Sequence, residues 1–141
     1  MPPGTAVTIL LDRMKKRADF LRAQKGQRRR LPGLILEACA SPSAALQPGH
    51  ARVGFTASRK IGGAVERNRA KRRLRAAAAA ALPLSGREGH DYVLVARTAT
   101  LSRPFIELTR DLENALTTVH AALQRAPKVQ TTRDMAPAPG K

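Results

Sequence analysis

The chain has no tryptophan, one tyrosine (Tyr92), three phenylalanines and one cysteine in 141 residues. With aromatics at 3%, any interior must be aliphatic, and an aromatic near a surface stands out. The lone cysteine, Cys39, excludes an internal disulfide framework and fits a reducing compartment. Its setting, LILEACA, is that of a small buried hydrophobe. No apolar run is long enough to span a membrane; AVTILL near the start ends at Asp12. Clustered donors for catalysis or metal binding are also missing. His50, His90 and His120 are far apart and share no ligand spacing with Cys39. The acids are scattered, Glu107 and Asp111 being the only pair at helical i,i+4 spacing. A two-metal nuclease centre needs several convergent carboxylates, and no phosphate-cradling glycine loop is present. These absences argue against an autonomous enzyme and for a binding protein.

Positive charge is abundant. Lys and Arg number 26 against 10 Asp and Glu, a formal net charge of +16. Such a surplus repels itself in a compact monomer. Nucleic acid is the natural partner, because each neutralised phosphate releases counterions. Hydrophobic residues at 43% and the length fit one globular domain.

The spacing of Leu10, Met14, Ala18 and Leu21, with Leu11 beside them, predicts a helix from Val7 to Lys25, stopped by Gly26. Gln27 to Arg30 reads as a basic loop or a short edge strand. Leu34 to Ala40 and Ala51 to Ser58 read as strands, separated by a loop over Ser41–Gly49. Ala64 to Leu82 reads as a helix with Ala70, Leu74, Ala77, Ala78 and Ala81 on one face. Asp91 to Ala96 is a buried strand. After Pro104, a last amphipathic helix carries Ile106, Leu108, Leu112, Leu116, Val119 and Leu123. Tyr92 and Phe105 are expected in the core. A flexible segment 1–7, one domain over 8–125 and a disordered tail over 126–141 complete the expected organisation.

Residues 59–75, RKIGGAVERNRAKRRLR, hold eight cations and one acid. On a helix, Asn68, Arg72 and Arg75 form a stripe flanked by Arg69 and Arg73, opposite Ala70 and Leu74. A merely solvated face would interleave acids at i±4, and here Glu66 alone answers eight cations. Guanidinium forks chelate phosphates and stack on bases. The opposite face is mostly alanine, too weakly apolar for a membrane-surface helix.

The stretch RVGFTASRKIGGAVERNRAKRRLR, Arg52 to Arg75, closely resembles the signature of the ribonuclease P protein family. That signature is a strand ending Gly-Phe-x-x-Ser, a basic pair, a glycine turn, then Ala-Val-x-Arg-Asn-Arg and Lys-Arg on a helix. RMKKRADF, DYVLVAR and Phe105 to Leu123 extend the likeness over Leu11 to Gln124. The resemblance implies a single-domain α+β sandwich in the order αβββαβα, its small sheet covered by helices, with a left-handed βαβ crossover. It implies a subunit that binds a catalytic RNA and precursor tRNA in the cytoplasm and requires no protein partner. The RNA then cleaves off the 5′ leader, using magnesium held mainly by that RNA, and no catalytic group lies in the protein. The RNA-binding residues it implies are Arg59, Lys60, Arg67, Asn68, Arg69, Lys71, Arg72 and Arg75. A cleft for the single-stranded leader would use Arg13, Lys16, Arg17, Phe20, Phe55 and Ser58. The chain departs from the pattern at Gln24, Leu34, Leu36 and Glu37, where relatives often place aromatics. A structural RNA-binding protein of ribosomal type is the alternative. Generic basicity, however, does not call for Asn68 between two arginines after a glycine turn.

Overall fold

The computed structural model describes residues 8–42 and 48–125. The expected segments 1–7 and 126–141, and the middle of the Ser41–Gly49 loop, lie outside the described residues. The elements are β1 (Leu10–Arg13), α1 (Arg17–Gln24), β2 (Gln27–Arg30), β3 (Leu34–Ala40), β4 (His50–Thr56), α2 (Ala64–Ser85), β5 (His90–Ala96) and α3 (Phe105–Arg125). The strands form one sheet in the order β1-β4-β5-β3-β2. β4 runs parallel to both β1 and β5, whereas β3 is antiparallel to β5 and to β2. This is the expected α+β sandwich, with one strand added before the first helix.

That addition corrects the helix expected over Val7 to Lys25. Leu10 to Arg13 pair in parallel with His50 to Val53 instead. The apolar spacing that suggested a helix is not a buried stripe, since Leu10 is 60% and Leu21 42% exposed. The helix begins only at Arg17, and its buried residues are Asp19 and Ala23.

Alternation along the strands sorts side chains to two faces. Leu34, Leu36, Ala38, Ala51, Val53, Tyr92 and Leu94 join α2 and α3 in the main core. From α2 come Ala70, Leu74, Ala77, Ala78, Ala81 and Leu82, and from α3 Leu108, Leu112, Ala115, Leu116 and Val119. The small alanine face lets α2 lie directly on its neighbours. On the opposite face a smaller cluster of Met14, Ala23, Cys39 and Val93 packs with Phe20 beneath α1. Cys39 is buried and its thiol is pushed up to about 11, chiefly by burial. Tyr92 is in the core as expected; Phe105 is 46% and Ile106 62% exposed, because α3 starts a turn before its first core position, Leu108.

Candidate nucleic-acid interface

Two surfaces collect the residues that the sequence singled out. The first is the outer face of α2. Ser58 Oγ accepts from the Lys60 backbone N–H at 3.3 Å and opens a tight 3-10 turn over Arg59–Ile61. Ile61 is buried and anchors that turn, while Arg59 and Lys60 stay exposed. Gly62 then takes a φ of +144°, which side chains rarely adopt. The Glu66 carboxylate accepts from the Gly63 N–H at 3.0 Å and starts α2. With Ala70 and Leu74 fully buried, Asn68, Arg69, Arg72 and Arg75 project to solvent, and Arg67 and Lys71 are half-buried. The Arg75 guanidinium lies 5.5 Å from the centre of the Phe55 ring, within cation–π range.

Arg73 leaves this ridge. It donates to the carbonyl oxygens of Leu101 (3.5 Å) and Arg103, with its Nε buried and unpartnered. It therefore ties α2 to the Thr98–Leu101 turn. Arg69 also reaches the Leu101 carbonyl, at 3.4 Å, but remains exposed. Among the described residues, none of the cations from Arg59 to Arg75 has a carboxylate within ion-pair distance. The acids are engaged elsewhere.

The second surface is the crevice under α1. This short helix is fastened by charge. Arg52 of β4 donates from Nε and Nη2 to Asp91 at 2.8 and 2.7 Å, and from Nη1 to Asp19 at 3.1 Å. Arg22 donates to the other Asp19 oxygen at 2.8 Å. The hydrogen bond from Arg22, reinforced by Arg52, holds the Asp19 carboxyl below its usual range despite burial. At the sheet edge, His50 and Asp12 pair at 2.9 Å. The Cε1–Cζ edge of the Phe20 ring lies against Gly54, where an added Cβ would stand 2.5 Å from a ring carbon.

Beside Phe20 opens a cavity of about 200 Å³, bounded by Gln24, Arg28, Glu37, Thr56 and the β5 valines Val93 and Val95. Glu37 is 5% exposed, and burial raises its carboxyl above the ordinary value while Arg28 opposes the rise. Lys16 and Arg17, both exposed, stand where α1 begins.

The expected cleft residues do not all meet here. Phe55 and Arg13 point to the opposite side of the sheet. They line a separate pocket of about 220 Å³ with Leu11, Val53, Arg75 and Ala78. Since Phe20 covers Gly54, its neighbour Phe55 must face away. Of the expected cleft residues Phe20 alone lines this cavity, Lys16 and Arg17 standing at the start of its helix, and Phe55 and Arg13 join the ridge through Arg75. Ser58 sits at the start of the ridge as a backbone cap. The sequence reading had no place for Arg28 in the crevice. Its signal was available: alternation pairs Arg28 with Glu37 across β2 and β3.

Among the described residues no three His, Cys, Asp or Glu side chains are grouped to hold a metal ion.

A family model described as Ribonuclease P matches residues 11–120. The chain belongs to the ribonuclease P protein family. It is 50% identical over 116 residues to the ribonuclease P protein component of Paramagnetospirillum magneticum, covering 82% of this chain and 86% of that one. It is 44% identical over 124 residues to the component of Ruegeria pomeroyi, covering 86% and 98%. The ribonuclease P protein of Thermotoga maritima superposes with a TM-score of 0.62 at 23% identity, over 77% of this chain and 97% of that structure. That last likeness shows the fold. The matched span begins in β1 and ends in α3, so both the ridge and the crevice lie inside the ribonuclease P region. As the protein subunit of ribonuclease P, the chain works with the RNA subunit of that endoribonuclease, where catalysis resides.

Proposed function

We propose that the α2 ridge seats this subunit on the catalytic RNA near the cleavage site, while the crevice under α1 holds the 5′ leader of precursor tRNA. The unpaired cations carry this reading. Among the described residues, exposed Arg59, Lys60, Arg69, Arg72 and Arg75 and half-buried Arg67 and Lys71 have no carboxylate within ion-pair distance, and a polyanion would relieve the mutual repulsion of such a row. Asn68 adds donors and an acceptor for a ribose or base edge. Arg75 on Phe55 makes a ready stacking platform next to that row.

The crevice suits a single strand. Phe20 offers an aromatic wall, and Lys16 and Arg17, exposed where the same helix begins, are available to meet phosphates. Magnesium belongs to the RNA, and the protein's fixed cations lower phosphate repulsion where RNA and substrate approach. The cytoplasm, where precursor tRNA is made, is the proposed location, and no further protein is required. No helix among the described residues is long and apolar enough to cross a membrane.

The test is reconstitution with the RNA subunit. Protein should reduce the magnesium needed for precursor cleavage and bind long-leader precursors more tightly than leaderless tRNA. If about six phosphates are neutralised, log K should fall with log salt at a slope of roughly −4 to −5. A flat salt response, or RNA binding with no effect on processing, would favour a purely structural RNA-binding protein.

A further inference from the structure

Glu37 is hard to explain as a structural residue. It lies in the middle of β3, 5% exposed, on the face covered by α1. Its nearest cation, Arg28 Nη1, is 3.6 Å from Oε2, too far for a hydrogen bond. The other buried carboxylates nearby behave differently: Asp19 and Asp91 are each held by short hydrogen bonds from arginine. The Glu37 carboxylate thus receives no hydrogen bond from the protein, and its oxygens keep their access to solvent through the cavity it lines. Glu37 faces a cavity of about 200 Å³ with Phe20 on one side and Gln24 at the rim.

We infer that this cavity is a base-reading pocket, in which the Glu37 carboxylate accepts two hydrogen bonds from a guanine of the bound single strand. The inference rests on the leader reading above and names the specificity of that site. Single-stranded bases are read by stacking on an aromatic ring and by hydrogen bonds to their Watson–Crick edge. Two carboxylate oxygens match two adjacent N–H donors, as in other bidentate carboxylate pairs. Among the RNA bases only guanine presents such a pair, N1–H and the N2 amino group. Adenine and cytosine offer one amino group each. Uracil offers one N–H between two carbonyl oxygens, which the carboxylate repels. Arg28, beside Glu37, is placed to donate to the guanine O6, and its charge offsets the repulsion between carboxylate and RNA backbone. Phe20 supplies the stacking surface for any base, so selectivity falls to Glu37.

The experiment uses the reconstituted holoenzyme and precursor tRNAs in which each leader position carries A, C, G or U in turn. One position should favour guanine by about ten-fold in binding, the discrimination typical of a good bidentate contact. Inosine at that position lacks the N2 amino group and should lose most of the advantage, a result that needs no protein variant. In Glu37→Gln, whose side chain has nearly the same volume, the guanine-to-adenine ratio should fall to within two-fold. Leader-dependent binding without a guanine preference, or with one that survives Glu37→Gln, overturns the pocket and leaves the leader reading standing. Affinity indifferent to the presence of a leader overturns both.

Discussion

Gly54→Ala tests how the crevice is built. The Phe20 ring lies so close to the β4 backbone that a new Cβ would stand 2.5 and 2.6 Å from two ring carbons. Ordinary contact begins near 3.4 Å, so the ring must retreat by about 1 Å. Moving α1 as a body would stretch the Arg52–Asp19 hydrogen bond at 3.1 Å, so tilting the half-exposed ring outward is the easier response. Overpacking of this kind costs ~1–3 kcal/mol. Alanine in a strand recovers ~0.5–1 kcal/mol relative to glycine. The net expectation is a loss of roughly 0.5–2 kcal/mol in urea unfolding. Displacing the ring also removes its stacking surface, which contributes ~1–3 kcal/mol per base, so the holoenzyme should bind a long-leader precursor about ten-fold more weakly. Leaderless tRNA should bind as before. Unchanged stability together with unchanged leader affinity would refute the placement of Phe20 on Gly54. Equal weakening toward leaderless tRNA would mean that the damage had spread beyond the crevice.

Other perturbations separate anchoring from binding. Leu74→Ala truncates a fully buried side chain and should destabilise by ~2–5 kcal/mol. Arg72→Ala, on the exposed ridge, should stay within about 0.5 kcal/mol of the parent yet raise the magnesium requirement of the holoenzyme; paired melts and processing assays check both. Arg52→Met leaves the buried Asp91 carboxylate without its bidentate partner, and Asp19 with Arg22 alone, and should cost ~3–5 kcal/mol, with Arg52→Met/Asp91→Asn recovering part of it in the same urea titration. His120 accepts from Tyr92 Oη at 2.7 Å, and burial lowers its imidazole to about 4. Its neutral form is thus favoured in the fold, while an unfolded histidine titrates near 6.5. Stability is therefore kept above pH ~6.5 and lost as pH falls toward 4, by roughly 2 kcal/mol between pH 7 and 5. His120→Gln should flatten that part of the curve, and an unaltered slope would contradict a buried neutral imidazole.

The parts of the fold legible in the sequence are those that bury an apolar stripe. α2 and α3 carry long runs at helical spacing, and β3 and β5 carry continuous apolar segments because both their faces are covered. α1 is different. It buries an aspartate and an alanine, and what holds it are Arg52 and Asp91, residues 33 positions away or more from Asp19. No periodicity encodes a charge match between distant strands, and the accidental spacing of Leu10, Met14 and Leu21 stood in for it. β1 is an edge strand of four residues, too short for alternation to declare itself. The ridge was readable except at Arg73, where the helical wheel held the answer: Arg73 is three residues from Ala70 and four from Ala77, on the border of the buried stripe. The crevice was readable only in part. That Phe20 and Phe55 lie on opposite sides follows from alternation once Phe20 is known to sit on Gly54, and that contact is tertiary.

The division of charge links these observations to function. Among the described residues, Asp12, Asp19, Glu37, Asp91, Glu107 and Asp111 all pair with His50, Arg22, Arg28, Arg52 or Arg103. Most of these pairs lie on the α1 face of the sheet or at the start of α3. Glu66 is turned back to cap its own helix. Most of the few acids in this strongly basic chain thus fasten elements by charge, and among the described residues none pairs with a cation of α2. That helix needs no ionic fastening, because alanine and leucine seat it on the core. Its cations are therefore held on a rigid element with their charge uncompensated, and phosphate contact need not first break an ion pair within the protein. Among the described residues the one buried acid without a hydrogen-bonded partner, Glu37, lies on the crevice side, next to the one phenylalanine on that face. A polyanion would be repelled there unless it offered hydrogen-bond donors, and within a nucleic acid the donors reside on the bases.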